Sequence, residues 1–160
     1  MLRKLLFAPL LILISSLSFA DTGSQIEIKD PWVRSAPPTA SVMAGYLQLI
    51  NHSHDTISLE SVSSPQFHSV EIHRTVNREG VMHMEKMEPL DLAGHQEIIF
   101  EPGGFHLMLM NPHEPLHEGD VVHLVFKFSN GDEIMVDAKV QDRGPGGEMM
   151  MMDHDKHQHH

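Results

Sequence analysis

Residues 105–110, FHLMLM, place an imidazole beside two thioethers if they form a β-strand. Successive side chains of a strand point to opposite faces. One face would then carry the apolar set Phe105, Leu107 and Leu109, and the other His106, Met108 and Met110. The first set is typical of a hydrophobic core. The second consists of side chains that can bind a soft metal ion.

Two earlier segments repeat this mixture. In FHSVEIHRTV, alternation places His73 on one face with Glu71 and Ser69. In GVMHMEKME, Met82 and Met84 share a face and His83 lies on the other. A fold that brings these strand ends together would offer two imidazoles and at least two thioethers to one ion, from the set His73, Met84, His106 and Met108.

Such a ligand set has a definite chemical preference. Thioether sulfur is neutral, soft and polarisable, so it favours Cu(I) over Zn(II), Mg(II) or Ca(II). The sequence contains no cysteine, which excludes a blue-copper centre and every other thiolate site. Only the imidazoles would be protonated in acid, so affinity should fall at low pH. These properties suit capture and release of copper.

Ordinary structural roles compete with this interpretation among the 14 His and 12 Met residues. A single Met in a strand is usually a core residue, which we expect of Met43 and Met135. A single His is more often a surface or hydrogen-bonded residue, as we expect of His52, His54, His68, His95, His113, His117 and His123. Met82, His83, Met87 and Met110 are either structural or secondary copper contacts, and a structural role is favoured. Residue types and spacing alone leave the four-residue set open between a metal site and these ordinary roles.

The chain between residues 25 and 141 has the strand and turn pattern of an all-β domain. Nine strand-like runs alternate with turn signals, among which Asn130-Gly131 predicts a hairpin. No stretch of 12 or more residues keeps a helical period. The pattern predicts an antiparallel two-sheet β-sandwich of seven to nine strands.

Both ends differ from this domain. Arg3 and Lys4 precede an apolar run and a small-residue stretch ending at Ala20, which is typical of a secretory signal peptide over residues 1–20. We therefore expect a periplasmic protein whose β-domain covers residues 21–143. Cleavage would also leave no membrane anchor, and no lipid-bearing cysteine is present. Residues 144–160 begin with Gly-Pro-Gly-Gly and lack apolar periodicity, so we expect a disordered tail rich in Met and His.

The charge of the chain restricts its partners. Removal of Arg3 and Lys4 with the signal peptide leaves nine basic residues against 22 acidic ones, a formal charge of −13. Nucleic acids and anionic membranes require a basic surface and are therefore disfavoured. We expect a monomer that meets cations or basic protein surfaces.

The sequence resembles the periplasmic copper chaperones of the PCuAC type. Their motif is His, ten residues, Met, twenty-one residues, and His-x-Met, and His73, Met84 and His106-Leu107-Met108 match it without a gap. The segments DPWVRSAPPTASVMAGYLQLIN and EPGGFHLMLMNPHEPLHEGD are also similar to the family, and the resemblance spans about residues 25–142. One departure is Arg74, since many members have Met after the first His.

This resemblance implies a cupredoxin-like Greek-key β-sandwich that binds one Cu(I) through His73, Met84, His106 and Met108. It also implies a carrier without enzymatic activity, which delivers copper to a cuproprotein such as subunit II of cytochrome c oxidase (the CuA site) or to another copper chaperone. A periplasmic copper storage or resistance buffer is the alternative function.

The tail suggests an auxiliary copper site. It combines four methionines with four histidines, and His-rich segments without a fold commonly bind metal. We expect it to hold Cu(I) or Cu(II) through Met149, Met150, Met151, Met152, His154, His157, His159 and His160.

Overall fold

A computed structural model describes residues 24–144. The signal peptide and the copper-binding tail predicted from the sequence lie outside the described residues, apart from Gly144. Ten β-strands fill this part of the chain: β1 Ile26–Arg34, β2 Val42–Asn51, β3 Ile57–Ser63, β4 Phe67–Arg78, β5 Val81–Lys86, β6 Leu90–Leu92, β7 Glu97–Phe100, β8 Phe105–Pro112, β9 Val121–Phe128 and β10 Glu133–Gln141. The all-β prediction is confirmed. Within residues 24–144 there is no helix of the length and apolar character needed to cross a membrane.

The nine strand-like runs of the sequence correspond to nine of these ten strands. The additional strand is β6, with only three residues, which pairs with β3. Its two buried leucines, Leu90 and Leu92, contribute to the core. Period-2 alternation cannot be recognised in so short a segment, so β6 has no signal in the sequence.

The strands form one hydrogen-bonded sheet in the order β5-β4-β8-β7-β2-β1-β10-β9-β3-β6, with an additional pairing between β2 and β8. Most neighbours are antiparallel, as predicted. Two pairs, β1 with β10 and β7 with β8, are parallel instead. The β1–β10 pair joins the two ends of the described chain, in keeping with the long connection that a parallel pair usually needs. β7 and β8 are instead linked by residues 101–104 and meet only at Phe100 and Phe105.

The sheet folds back on itself around one core. Strands β3 and β4 lie near opposite ends of the hydrogen-bonded order, yet they contact each other. Every strand except β5 supplies buried apolar side chains to this core. β5 is an edge strand that pairs only with β4 and has no buried residue.

Turn chemistry agrees with the strand boundaries. Glu79 and Gly80 connect β4 to β5 with φ of 54° and 84°, the geometry of a two-residue hairpin turn. The predicted Asn130-Gly131 hairpin joins β9 to β10, with Gly131 at φ 89°.

The two predicted core methionines have different outcomes. Met43 is 5% exposed and packs in the core, as expected. The expectation for Met135 is wrong, because its side chain is 77% exposed. It shares the outward face of β10 with Asp137 and Lys139, since alternation gives the inward face to Ala138 and Val140.

Candidate metal centre

Three neighbouring strands, β5, β4 and β8, bring the predicted metal residues to one face. His73 of β4 is the register partner of His106 on β8, and Glu71 is the partner of Met108. On the other side of β4, Thr75 is paired with Met84 of β5. Directly paired residues point to the same face of a sheet. The two imidazoles and two thioethers therefore share one face, on three adjacent strands.

The opposite face of these strands belongs to the core. Ile72 is paired with Leu107, and Val70 with Leu109. Ile72, Leu107 and Leu109 are fully buried. Alternation along residues 105–110 thus separates core residues from the His–Met face, as the sequence predicted.

His106 is held with one ring nitrogen free. The residue is only 7% exposed, and its Nδ1 lies 3.1 Å from the carbonyl oxygen of Gly104. A carbonyl oxygen only accepts hydrogen bonds, so Nδ1 carries the proton and donates it. The Nε2 atom then keeps its lone pair. Donation from the second nitrogen to a carbonyl is the usual arrangement of a metal-binding histidine.

His73 shows the complementary arrangement. Its Nε2 lies 2.8 Å from a carboxylate oxygen of Glu71, which accepts the N–H. Its Nδ1 is buried and has no hydrogen-bond partner among the described residues. A buried polar atom without a partner is costly and requires an explanation. The lone pair of Nδ1 is in the state that a metal ligand needs.

The spacing of the two rings permits one shared ion. Their centroids lie 6.0 Å apart with an angle of 40° between the ring planes. With a metal–nitrogen bond of about 2.0–2.1 Å, an ion lies about 3.2 Å from each centroid, so two rings on one ion are at most about 6.4 Å apart. The observed separation falls within that limit.

A charged network positions His73. Lys86 Nζ lies 3.0 Å from Glu71 and 3.2 Å from Glu88, and Glu88 in turn accepts the backbone N–H of Ile72. Hydrogen bonds from His73 and then Lys86 lower the pKa of Glu71, and hydrogen bonds to Glu71 and then Glu88 raise the pKa of Lys86. Glu71 is therefore ionised at neutral pH and orients the His73 ring. Sequence reasoning placed Glu71 beside His73 but did not assign it this role, and Lys86 and Glu88 were missed.

The two methionines lie on the strands that flank β4, one on each side of His73. Met108 and Met84 are each diagonal neighbours of His73, a separation of about 7–8 Å that long side chains can span. Met108 is half-buried in an interior strand, whereas Met84 is 63% exposed on the edge strand. The candidate ligand set thus has a fixed side and an open side.

The remaining His and Met residues nearby have other surroundings. Met82 shares the face of Met84 at 59% exposure, His83 is exposed on the opposite face, and Met110 is half-buried opposite Ser69. Met87 packs against the core, in agreement with a structural role.

Arg74, the departure from the PCuAC pattern, does not share the His–Met face. Its guanidinium carbon lies 5.3 Å from the centroid of the Phe105 ring. Alternation places this contact on the other side of β4 from His73. The arginine therefore leaves the four candidate ligands unobstructed.

Harder ligands do not complete a site here. Among residues 24–144 no group of three or more His, Asp or Glu side chains is arranged to hold a metal ion. The further donors that Met84 and Met108 offer to an ion on this face are thioethers.

Comparisons with known proteins agree with this architecture. The chain is similar to the copper-bound PCuAC domain from PmoF2, with 22% identity, a TM-score of 0.63, and coverage of 74% of this chain and 94% of that domain. It is also similar to the Cu(I) form of DR1885 from Deinococcus radiodurans, with 24% identity, a TM-score of 0.56, and coverage of 78% and 83%. At these identities the likeness establishes the fold, and the predicted cupredoxin-like fold of the PCuAC type is confirmed.

Sequence relatives give the family. An uncharacterized protein of Rickettsia prowazekii, RP573, is 32% identical over 127 residues, which are 75% of this chain and 68% of that protein. The family model described as "Putative lipoprotein LpqE-like" matches residues 26–140, which contain every described strand except the last residue of β10. The chain belongs to the LpqE-like family and has the fold of PCuAC domains.

Proposed function

We propose that this protein is a Cu(I) metallochaperone that binds one ion through His73, Met84, His106 and Met108. The observation that carries the proposal is the buried Nδ1 of His73, which has no partner among the described residues and lies on the face shared with His106 and the two thioethers. Two neutral imidazoles and two thioethers form a soft, uncharged donor set, which favours Cu(I) over hard divalent ions.

Delivery is favoured over permanent storage because the donor set is asymmetric. Met84 is a neutral, exposed ligand on an edge strand, so an acceptor could replace it without opening the core. The His73–His106 pair would hold the ion until transfer is complete. Copper storage or resistance is the alternative, in which the same site equilibrates with free copper and gives it to no acceptor.

The acceptor we propose is an exported cuproprotein, with the CuA site of cytochrome c oxidase subunit II as the first candidate and another copper chaperone as the second. The resemblance to PCuAC proteins and the structural likeness to copper-bound and Cu(I)-bound domains support this choice. The apparent signal peptide and the lipoprotein description of the family support export, and we place the protein in the periplasm as a monomer. The same relatives support a role in binding and transfer, and we propose no catalytic activity.

The proposal is tested by competition for Cu(I) against a chromophoric chelator. The chain ending at Gly144 should bind one tight equivalent, and His106→Ala should abolish tight binding. His123→Ala is the matched control, because His123 is exposed and paired with Asp137 away from β4 and β8. Absence of tight binding by the unaltered chain would refute the Cu(I) site.

Transfer separates delivery from buffering. The Cu(I)-loaded protein should pass its ion to an apo CuA domain faster than the ion dissociates to a chelator of equal affinity. Equal rates to both acceptors would favour the buffer.

The tail is a separate part of the proposal. Full-length protein should bind more copper than the chain ending at Gly144, through the Met and His residues of 149–160. Equal stoichiometry of the two forms with both Cu(I) and Cu(II) would remove the tail site.

A further inference from the structure

Two histidines from different loops contact each other away from β4 and β8. His54 follows β2, and His95 precedes β7. The Nε2 atom of His95 lies 2.9 Å from Nδ1 of His54, and the ring planes meet at 85° with centroids 4.5 Å apart. Both residues are exposed, so an ion can reach the pair from solvent.

The backbone holds these two loops together. Asn51 is fully buried, and its amide nitrogen donates to the carbonyl oxygens of Asp55 at 2.8 Å and of Leu92 and Ala93 at 3.1 Å each. The His95 N–H donates to the Ser53 carbonyl at 3.0 Å. The loop positions are therefore fixed by backbone groups and a buried amide, independently of the rings.

Close packing and an unusual backbone conformation reinforce this placement. A Cβ atom added to Gly94 would lie 2.2 Å from the backbone oxygen of His54, so only glycine permits the loops to approach this closely. His95 itself has φ of 61°, in the left-handed region that residues other than glycine seldom occupy. Such conformations persist only where the surroundings determine them, and they cluster at functional sites.

The separation of the two nitrogens matches metal coordination. With metal–nitrogen bonds of about 2.0–2.1 Å, adjacent nitrogens of a square-planar site lie about 2.9 Å apart, and those of a tetrahedral site about 3.4 Å apart. The pair already has the first spacing. An ion about 2.0–2.1 Å from both nitrogens would lie to one side of the line that joins them, with each ring turned slightly to aim its lone pair at the ion. The proton now between the rings would move to the other nitrogen of its own ring.

We propose that His54 and His95 form a second metal site, for Cu(II) or another divalent transition ion. Imidazole binds Cu(II) most strongly among the divalent first-row ions, and the spacing suits its square-planar preference. Among the described residues, neither a carboxylate nor another imidazole joins the two histidines. Water would therefore fill the other coordination positions, and affinity would be moderate.

This site is independent of the proposed Cu(I) site. Ala44 of β2 is paired with Met108, and Asn51 lies seven residues further along the same strand. At about 3.3 Å per residue the two sites are separated by about 23 Å along β2. Neither site requires the other, so the failure of one leaves the other standing.

Paramagnetic broadening of backbone amide NMR signals by Cu(II) tests the proposal in the full-length chain without reductant, with more Cu(II) added than the proposed tail site binds. Copper bound at the pair should broaden the amides of residues 53–55 and 94–96 beyond detection. The variant His54→Gln with His95→Asn should lose that broadening at the same Cu(II) concentration. Asn tolerates the left-handed conformation at position 95, so the loop should keep its fold.

Two controls decide the interpretation. His54→Gln alone should also abolish the broadening, since one imidazole cannot chelate, and it leaves His95 in place. His123→Gln should retain it. The proposal is overturned if residues 53–55 and 94–96 are not broadened, if the double variant is broadened equally, or if His123→Gln loses the effect as well.

Discussion

Strands β8 and β5 both present methionine to the same face, but they do so from different structural positions. β8 is an interior strand with neighbours on both sides, and its alternate residues Leu107 and Leu109 are fully buried. β5 is an edge strand without a buried residue, held only by β4. His106 and Met108, half of the proposed ligand set, are therefore fixed by the core, while Met84 on β5 is free to exchange.

The largest expected effect comes from the fixed half. His106→Ala should weaken Cu(I) binding by at least about 100-fold, more than the 10–100-fold typical of supporting residues, because a direct ligand is lost. Chelator competition measures this change. A loss below about tenfold would show that His106 does not bind the ion.

Substitutions on the buried face of β8 should change the stability of the fold and not its preference for a metal ion. Leu107→Ala removes a fully buried side chain, so unfolding should become easier by about 2–5 kcal/mol in a denaturant titration. Met108→Leu conserves volume and should cost less than about 1.5 kcal/mol. Similar losses for both variants would contradict the division of β8 into a core face and a metal face.

The division of β8 into a core face and a metal face was largely predictable from the sequence, whereas the strands that lie beside β8 were not. Alternation along residues 105–110 is a local property, so it separated Leu107 from Met108 correctly. β5 reaches β4 through a two-residue hairpin, but the adjacency of β4 and β8 depends on pairing between residues more than 30 positions apart, such as His73 with His106, and periodicity carries no information about it. The family motif supplied that connection.

The hydrogen-bond partners of the imidazoles were the least predictable feature. The Gly104 carbonyl that fixes His106 belongs to a loop, and Lys86 reaches Glu71 across a strand pair. Only Glu71, two residues from His73 on the same face, left a signal in the sequence. Residue type alone suggested that Met135 is buried, and its exposure shows that residue type does not decide which face of a strand a methionine occupies.

A smaller effect should follow from the charge that orients His73. Glu71→Gln keeps the size of the side chain but removes its negative charge, and should weaken Cu(I) binding by about tenfold. Glu133→Gln, in an exposed pair with Lys127, is the control and should leave affinity unchanged. Equal affinities of the Glu71 variant and the unaltered protein would remove the positioning role.

The same carboxyl group should have a signature in the stability of the metal-free protein. The pKa of Glu71 in the folded state lies below its ordinary value of 4.5, so its ionised form stabilises the fold at pH above that value. This contribution should disappear as pH falls through the lower, folded-state pKa. The thermal unfolding midpoints of the unaltered protein and of Glu71→Gln should therefore converge in acid. A difference between the two midpoints that grows in acid would contradict a stabilising role of the ionised carboxylate.

The smallest effect is expected for a methionine outside β5 and β8. Met135 is exposed on β10 away from the His–Met face, so Met135→Gln should change neither Cu(I) affinity nor stability by more than about 0.5 kcal/mol. A measurable loss of affinity would show that exposed methionine in general, and not the edge of β5, contributes to copper binding.

The most direct test observes the imidazole nitrogens themselves. Long-range proton–nitrogen NMR of 15N-labelled protein reports each ring nitrogen separately, before and after one equivalent of Cu(I). We predict that Nδ1 of His73 and Nε2 of His106 shift, while Nε2 of His73 and Nδ1 of His106 stay protonated. Unchanged nitrogens at both residues would contradict the proposed copper site.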